Sequence, residues 1–268
     1  MRTVPGRVGT GDAAAWPWSP ATAGRPRGSV TAHRGSGAAS WPAQVRTGTD
    51  PDNGSRRESK AMADETLDGF LEALASAAPA PGGGAAAAVQ VALGAALVSM
   101  VTNLTIGKPR YAEHEPVMLA ARAEADRLRG EALALADADA VAFTAVTDAY
   151  RLPKETAEEK AARSAAIQRA LVGAADVPLR TAAAAAEVVG LCQRILDGAN
   201  VNVLSDVAVA AASARAALDS AAINVRVNLA SMSDAATRDA TAAELDKYLS
   251  SVTGADVVVR AVGDRIGS

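Results

Sequence analysis

The chain has 268 residues, 49% of them hydrophobic but only 3% aromatic, with one cysteine and a formal net charge of −3. Such a length suits one large domain or two small ones, and a core of Ala, Val and Leu favours closely packed helices over a sandwich. The charge argues against an extended nucleic-acid footprint, and Cys192 alone cannot close an internal disulfide, in keeping with a reducing cytoplasm.

Residues 1–61 differ from the rest. They hold all three tryptophans (Trp16, Trp18, Trp41), six of the twelve prolines, and nine basic against four acidic residues, leaving the remainder at a net charge of −8. Neither a helical period nor a signal-peptide core runs through this segment. It reads as a disordered tail, unable to bury enough surface to offset its chain entropy. Arg57-Glu58 can be encoded by a purine-rich run about nine nucleotides before the Met62 codon. Met62 is therefore expected to be the natural start and 1–61 a translated leader; a genuine flexible extension is the other reading. Both place the functional domain at 62–268.

From Asp64 onward the sequence shows no convincing strand and at least six helical segments, and the expectation is an all-α bundle of about six to eight helices. Leu67, Phe70, Leu71 and Leu74 fall at i, i+3, i+4, i+7 and give a short amphipathic opening helix, ended by Pro79 and Pro81. A second helix is expected over 84–103, with Gly107 and Pro109 as stop signals. A long third runs over about 113–150. The fourth begins at Thr156, where Thr156 and Glu159 form a capping box. A fifth starts around Pro178, a suitable early-helix proline, and ends near Gly198. The sixth spans about 200–229 and the next 234–249, with a further piece after Gly254.

Between Gly84 and Val101 only Gln90 and Ser99 are polar. Alanine and glycine dominate this run, and no aromatic belt or basic flank brackets it. A central helix buried on all sides, whose small residues let neighbouring backbones approach, is expected rather than a membrane span.

Four constellations could carry chemistry. Gly82, Gly83 and Gly84 precede an alanine-rich helix although glycine costs about 1 kcal/mol there relative to alanine. They read either as a turn between helices or as a helix N-terminus onto which a flat ligand lies directly. Asp139 shares a helical stripe with Leu128, Ala132, Leu135, Ala142, Phe143 and Val146, whereas Asp137 turns away toward solvent. A carboxylate on an apolar face needs a hydrogen-bonding partner or a task, and desolvation would raise its pKa toward that of a general acid–base. Asn202, Ser205, Asp206 and Val209 share one face of the sixth helix, and Asn224 and Asn228 lie one turn apart further along it. Such rows could read a heterocycle, or form interhelical hydrogen bonds, the preferred reading for Asn224 and Asn228. Lys108, Arg110 and Lys154 are loop cations that would suit a carboxylate-bearing ligand. No metal-ligand cluster is expected, since His33 and His114 are the only histidines.

Five segments in order, PGGGAAA, MVTNLTIGKPRY, DADAVAF, LPKETAEEKAARSAAIQ and NVNVLSDVAVAA, resemble the formiminotransferase-cyclodeaminase family and, within it, the stand-alone cyclodeaminase and methenyltetrahydrofolate cyclohydrolase members. The likeness runs from Met62 to the C-terminus. It implies an all-helical homodimer acting on one-carbon units of tetrahydrofolate, with the folate as substrate and no prosthetic group. Composition and charge add the expectations of a cytoplasmic protein with neither nucleic acid nor membrane as partner. The likeness implies Asp139 as catalytic acid–base. Gly82–Gly84, Asn103, Asn202, Ser205 and Asp206 would line the folate site, and Lys108, Arg110 and Lys154 would hold the glutamyl tail. Two departures stand out: Ala85 replaces the serine common after the glycines, and Val207-Ala208 replaces a small-Gly pair. The leading expectation is hydrolysis of 5,10-methenyltetrahydrofolate to 10-formyltetrahydrofolate, because no formiminotransferase segment accompanies this sequence. Cyclodeamination of formiminotetrahydrofolate with release of ammonia is the alternative, and a catalytically inactive helical scaffold dimer the third.

Overall fold

Thr66 opens the first helix by accepting the Gly69 N–H on Oγ1 at 3.0 Å, and Phe70 is the residue that α1 (Leu67–Ala75) buries. In the computed structural model, which describes residues 61–267, six more α-helices follow: α2 (Gly83–Asn103), α3 (Glu115–Arg151), α4 (Ala157–Ile195), α5 (Leu204–Ala230), α6 (Ala235–Leu249) and α7 (Val252–Gly267). Short 3-10 turns stand at Met62–Asp64, Pro109–His114 and Val201–Val203. The described residues contain no strand, so the fold is all-α. The expectation of a tail or leader over 1–61 lies outside the described residues apart from its last position, Ala61.

The capping box at Thr156 forms: Glu159 N–H donates to Thr156 Oγ1, and Thr156 N–H to Glu159 Oε2, both at 3.1 Å. The helix that it starts does not stop at Pro178. The expected fourth and fifth helices are one, α4, with Pro178 in its interior. A proline removes a single i→i−4 hydrogen bond and costs about 3 kcal/mol in a helix. Here Ala174, Ala175, Val177 and Leu179 are all buried around it, and that packing outweighs the local penalty.

Helix α2 packs against α3, α4 and α5. Its partners α3 and α5 run antiparallel to it. Ser99 Oγ donates to Asp126 Oδ1 on α3 at 2.9 Å, while Ser213 Oγ of α5 donates to the Gln90 carbonyl at 2.8 Å. Gly94 permits the tight approach of α5, since a Cβ there would stand 3.1 Å from the Ala210 carbonyl oxygen. At the C-terminal end of α2, buried Asn200 ties two turns together. Its N–H donates to Thr105 Oγ1 at 3.1 Å, and its Nδ2 donates to the Leu104 carbonyl at 2.9 Å.

The central helix is not buried on all sides. Leu93 of α2 is 57% exposed, and Met100 and the C-cap residue Leu104 are also open, on the side of the helix that α3, α4 and α5 leave uncovered. By length and composition α2 and the segment Val201–Ala230 could each cross a membrane, with mean hydropathies of 1.9 and 1.3. Within the fold 61% of the first window is buried and 39% of the second. Intramolecular packing therefore accounts for most of the apolar character of α2, but not for that of α5.

Candidate active site

The glycine run leads into the first turn of α2. Gly82 is the N-cap of α2 and offers no side chain to cap it, so the first-turn N–H groups need an acceptor from elsewhere. Asp139 provides it. Because α3 returns antiparallel along α2, its middle reaches the N-terminus of α2, and Ala85 N–H donates to Asp139 Oδ2 at 3.1 Å. The missing side chain at Gly84 makes this possible, for a Cβ at that position would overlap the carboxylate. At Gly83 a Cβ would stand 3.7 Å from Asn224 Nδ2, ordinary contact. A Cβ at Gly82 would meet, among the described residues, only the Pro79 carbonyl oxygen, at 3.9 Å. Residue 85 thus contributes its backbone N–H, which alanine supplies as well as serine would.

Asp139 is half-buried. Burial pushes its carboxyl pKa above the ordinary aspartate value, and the Ala85 N–H offsets only part of that. The apolar stripe expected around it is buried at Leu128, Ala132 and Leu135, then opens beyond Asp139, where Phe143 is exposed. There a cleft of about 330 Å³ forms between α3, α4 and α5, with Asp139, Phe143, Tyr150, Asn224, Val227 and Asn228 among its walls. That volume lies at the lower end of the range for small-molecule sites. Asp137 is not simply solvated: half-buried, it accepts the Met62 N–H at 3.0 and 3.1 Å.

The other expected residues do not gather at Asp139 within one chain. Asn103 is exposed at the C-terminal end of α2, accepting from Arg122 Nη1 at 3.3 Å. Lys108 and Arg110 follow it, the Arg110 guanidinium 5.8 Å from the Tyr111 ring centre. Ser205 and Asp206 open α5 at the same end, whereas Asn202, expected on the same helix, lies in the 3-10 turn before it, next to Val201, whose N–H donates to Tyr111 Oη at 3.2 Å. Nearly all of α2 separates this end from Gly84, about 30 Å at the α-helical rise. Lys154 stands exposed in the turn between α3 and α4, beyond Tyr150 on the cleft's side of the bundle. Asn224 and Asn228 line the cleft instead. Their one-turn spacing is the signal that the sequence offers, and Asn228 also makes the expected interhelical bond, from Nδ2 to the Ala174 carbonyl at 2.9 Å. Among the described residues no three His, Cys, Asp or Glu side chains group as metal ligands.

A partly desolvated carboxylate seated on a helix N-terminus and open to a cleft, within an all-α bundle, is the kind of arrangement expected at the active site of a helical enzyme. The sequence comparisons agree. Residues 66–247 match the family described as formiminotransferase-cyclodeaminase, and the chain belongs to that family. It is 48% identical over 185 residues to a methenyltetrahydrofolate cyclohydrolase of Methylorubrum extorquens, covering 69% of this chain and 89% of that protein. Against formimidoyltransferase-cyclodeaminase of Mus musculus it is 35% identical over 191 residues, 71% of this chain and 35% of that longer protein. A solved structure, formiminotetrahydrofolate cyclodeaminase from Thermotoga maritima, superposes with a TM-score of 0.70 at 28% identity, covering 77% of this chain and all of that one. These relatives are enzymes of folate one-carbon chemistry.

Proposed function

We propose that residues 62–268 hydrolyse 5,10-methenyltetrahydrofolate to 10-formyltetrahydrofolate in the cytoplasm, with Asp139 as general acid–base and no prosthetic group. One observation carries this reading: the raised-pKa carboxylate rests on Ala85 N–H above Gly84 and faces the cleft. The substrate's one-carbon bridge is a planar amidinium cation, which an ionised Asp139 stabilises. Water attacks the bridge carbon as Asp139 accepts one of its protons. As the adduct collapses, the bond from carbon to N5 breaks, Asp139 returns the proton to N5, and the hydroxyl proton leaves to solvent as the formyl C=O forms. The extent and identity of the match to the Methylorubrum protein support the cyclohydrolase.

Cyclodeamination has an observation of its own: a chain named for that activity superposes over its full length. Following loss of methenyl absorbance with 5,10-methenyltetrahydrofolate, and ammonia release with formiminotetrahydrofolate, separates the two. Methenyl loss without appreciable deamination is the expected result. A scaffold would do neither, and no folate analogue would raise its melting temperature.

Asn103, Lys108, Arg110, Asn202, Ser205 and Asp206 fit this reading if a second copy of the chain supplies them. Leu93 and Met100 on α2 and Leu104 at its C-cap, with Val209, Ile223 and Val227 on the antiparallel α5, leave adjoining apolar faces exposed. Val227 continues that face into the Asp139 cleft. A two-fold axis across the two helices would set the far end of one copy against the cleft of the other. Lys108 and Arg110 would then meet the glutamyl tail there, with Lys154 at the cleft's own margin. Mixing an Asp139→Asn chain with an Asn202→Ala/Asp206→Ala chain, each inactive alone, is expected to restore about a quarter of wild-type activity, because half the dimers are mixed and each keeps one intact site. No recovery after subunit exchange would remove the far-end residues from the site.

A further inference from the structure

We infer that Asn228 is a specificity-determining residue of the Asp139 cleft, locked as a hydrogen-bond acceptor by Pro178 acting as its positioning residue. Pro178 has no N–H, so the carbonyl four residues earlier, that of Ala174, lacks its intrahelical donor. Asn228 Nδ2 supplies one at 2.9 Å and donates its second hydrogen to the Asn224 carbonyl at 3.0 Å. Both partners are carbonyl oxygens, which accept only, so the amide has one workable orientation and no free N–H. Its Oδ1 has no protein donor among the described residues, yet it is not a buried, unpaired atom. It is the one polar atom Asn228 has left for whatever occupies the cleft it lines.

Among the described residues no lysine, arginine or histidine lines that cleft, so its polar character is weighted toward acceptors. The complementary ligand is uncharged or cationic and carries an N–H edge. On the function proposed above, that edge is an N–H of the reduced pterin ring, and the anionic tail lies outside.

The lock makes the inference testable from a residue remote from the chemistry. Pro178→Ala gives the Ala174 carbonyl a normal helical donor and frees one N–H of Asn228. The variant is expected to melt no lower than wild type, since alanine suits a helix interior better than proline. Its KM for 5,10-methenyltetrahydrofolate is expected to rise about tenfold, the size of one hydrogen bond, with a smaller change in kcat. Asn228→Ala should raise KM by a similar factor, and adding Pro178→Ala to it should change KM no further, since the two act through one amide. Independently of turnover, the Asn228 side-chain NH₂ signals should show slow hydrogen exchange in wild type and faster exchange in Pro178→Ala. Unchanged KM in Pro178→Ala, or additive effects in the double variant, would overturn the inference. Wild-type protein that hydrolyses no methenyl substrate while the exchange pattern holds would sink the functional reading and leave the lock standing.

Discussion

Asp139→Asn is expected to lower kcat by about 10²–10⁴-fold, the usual worth of a positioned proton-transfer group, with the helical circular-dichroism spectrum unchanged. The fold survives because an asparagine Oδ1 can still accept the Ala85 N–H that Asp139 Oδ2 now accepts at 3.1 Å. Near-wild-type turnover would remove Asp139 from the mechanism. The same substitution has a stability signature with a defined sign. Burial raises the folded-state pKa of Asp139, so the folded protein binds that proton more tightly than the unfolded chain does. Its contribution to stability is therefore fully present below the unfolded carboxylate's pKa and is lost as pH rises through the raised folded value. The neutral amide of the Asp139→Asn variant carries no such penalty. The melting temperature of the variant relative to wild type is expected to climb across that window and level off above it. In the wild-type enzyme kcat should rise with pH through the same raised pKa, because the ionised form takes the proton from water.

Gly84→Ala is expected to cost about 10²-fold or more in kcat, on the same proton-transfer scale, although the substitution favours helix by about 1 kcal/mol. The added Cβ overlaps the Asp139 carboxylate, which must leave the Ala85 N–H and swing away from the bound amidinium. Gly83→Ala meets only ordinary contact, with Asn224 Nδ2 at 3.7 Å, and should cost much less. The decisive measurement is the double variant. If Gly84 matters through the carboxylate, Gly84→Ala added to Asp139→Asn lowers kcat little further, the non-additivity of residues that share one interaction. Full additivity would mean that Gly84 serves the ligand directly and not through Asp139.

The paired behaviour of these two positions shows how far the sequence reaches. Asp139 can be singled out because a carboxylate on an apolar stripe violates the helical pattern around it, and the glycines because they oppose the propensity of the alanines that follow. Both are local signals. What joins them is the register of α3 on α2, which puts residue 139 over residue 84 when nothing in the neighbourhood of either specifies the pairing. For the same reason the spacing of Asn202 and Asp206 suggests one helix face, yet Asn202 falls in the 3-10 turn before α5 and the length of α2 puts both about 30 Å from the Asp139 end of their own chain.

Helical periodicity, the capping box at Thr156 and the proline and glycine stops by themselves determined the all-α character of the described residues and the approximate bounds of most of their helices, since those preferences act within a turn or two. Whether Pro178 breaks a helix was a tertiary decision, taken by burial on both sides of it and by a donor, Asn228, on another helix. So was the choice of Gly84 as the glycine that the carboxylate needs, and the joining of Asn224 and Asn228 to the cleft. Contacts between distant segments depend on how whole helices pack and slide against each other, and the energy that fixes that register is summed over many buried Ala, Val and Leu side chains rather than written at any one position.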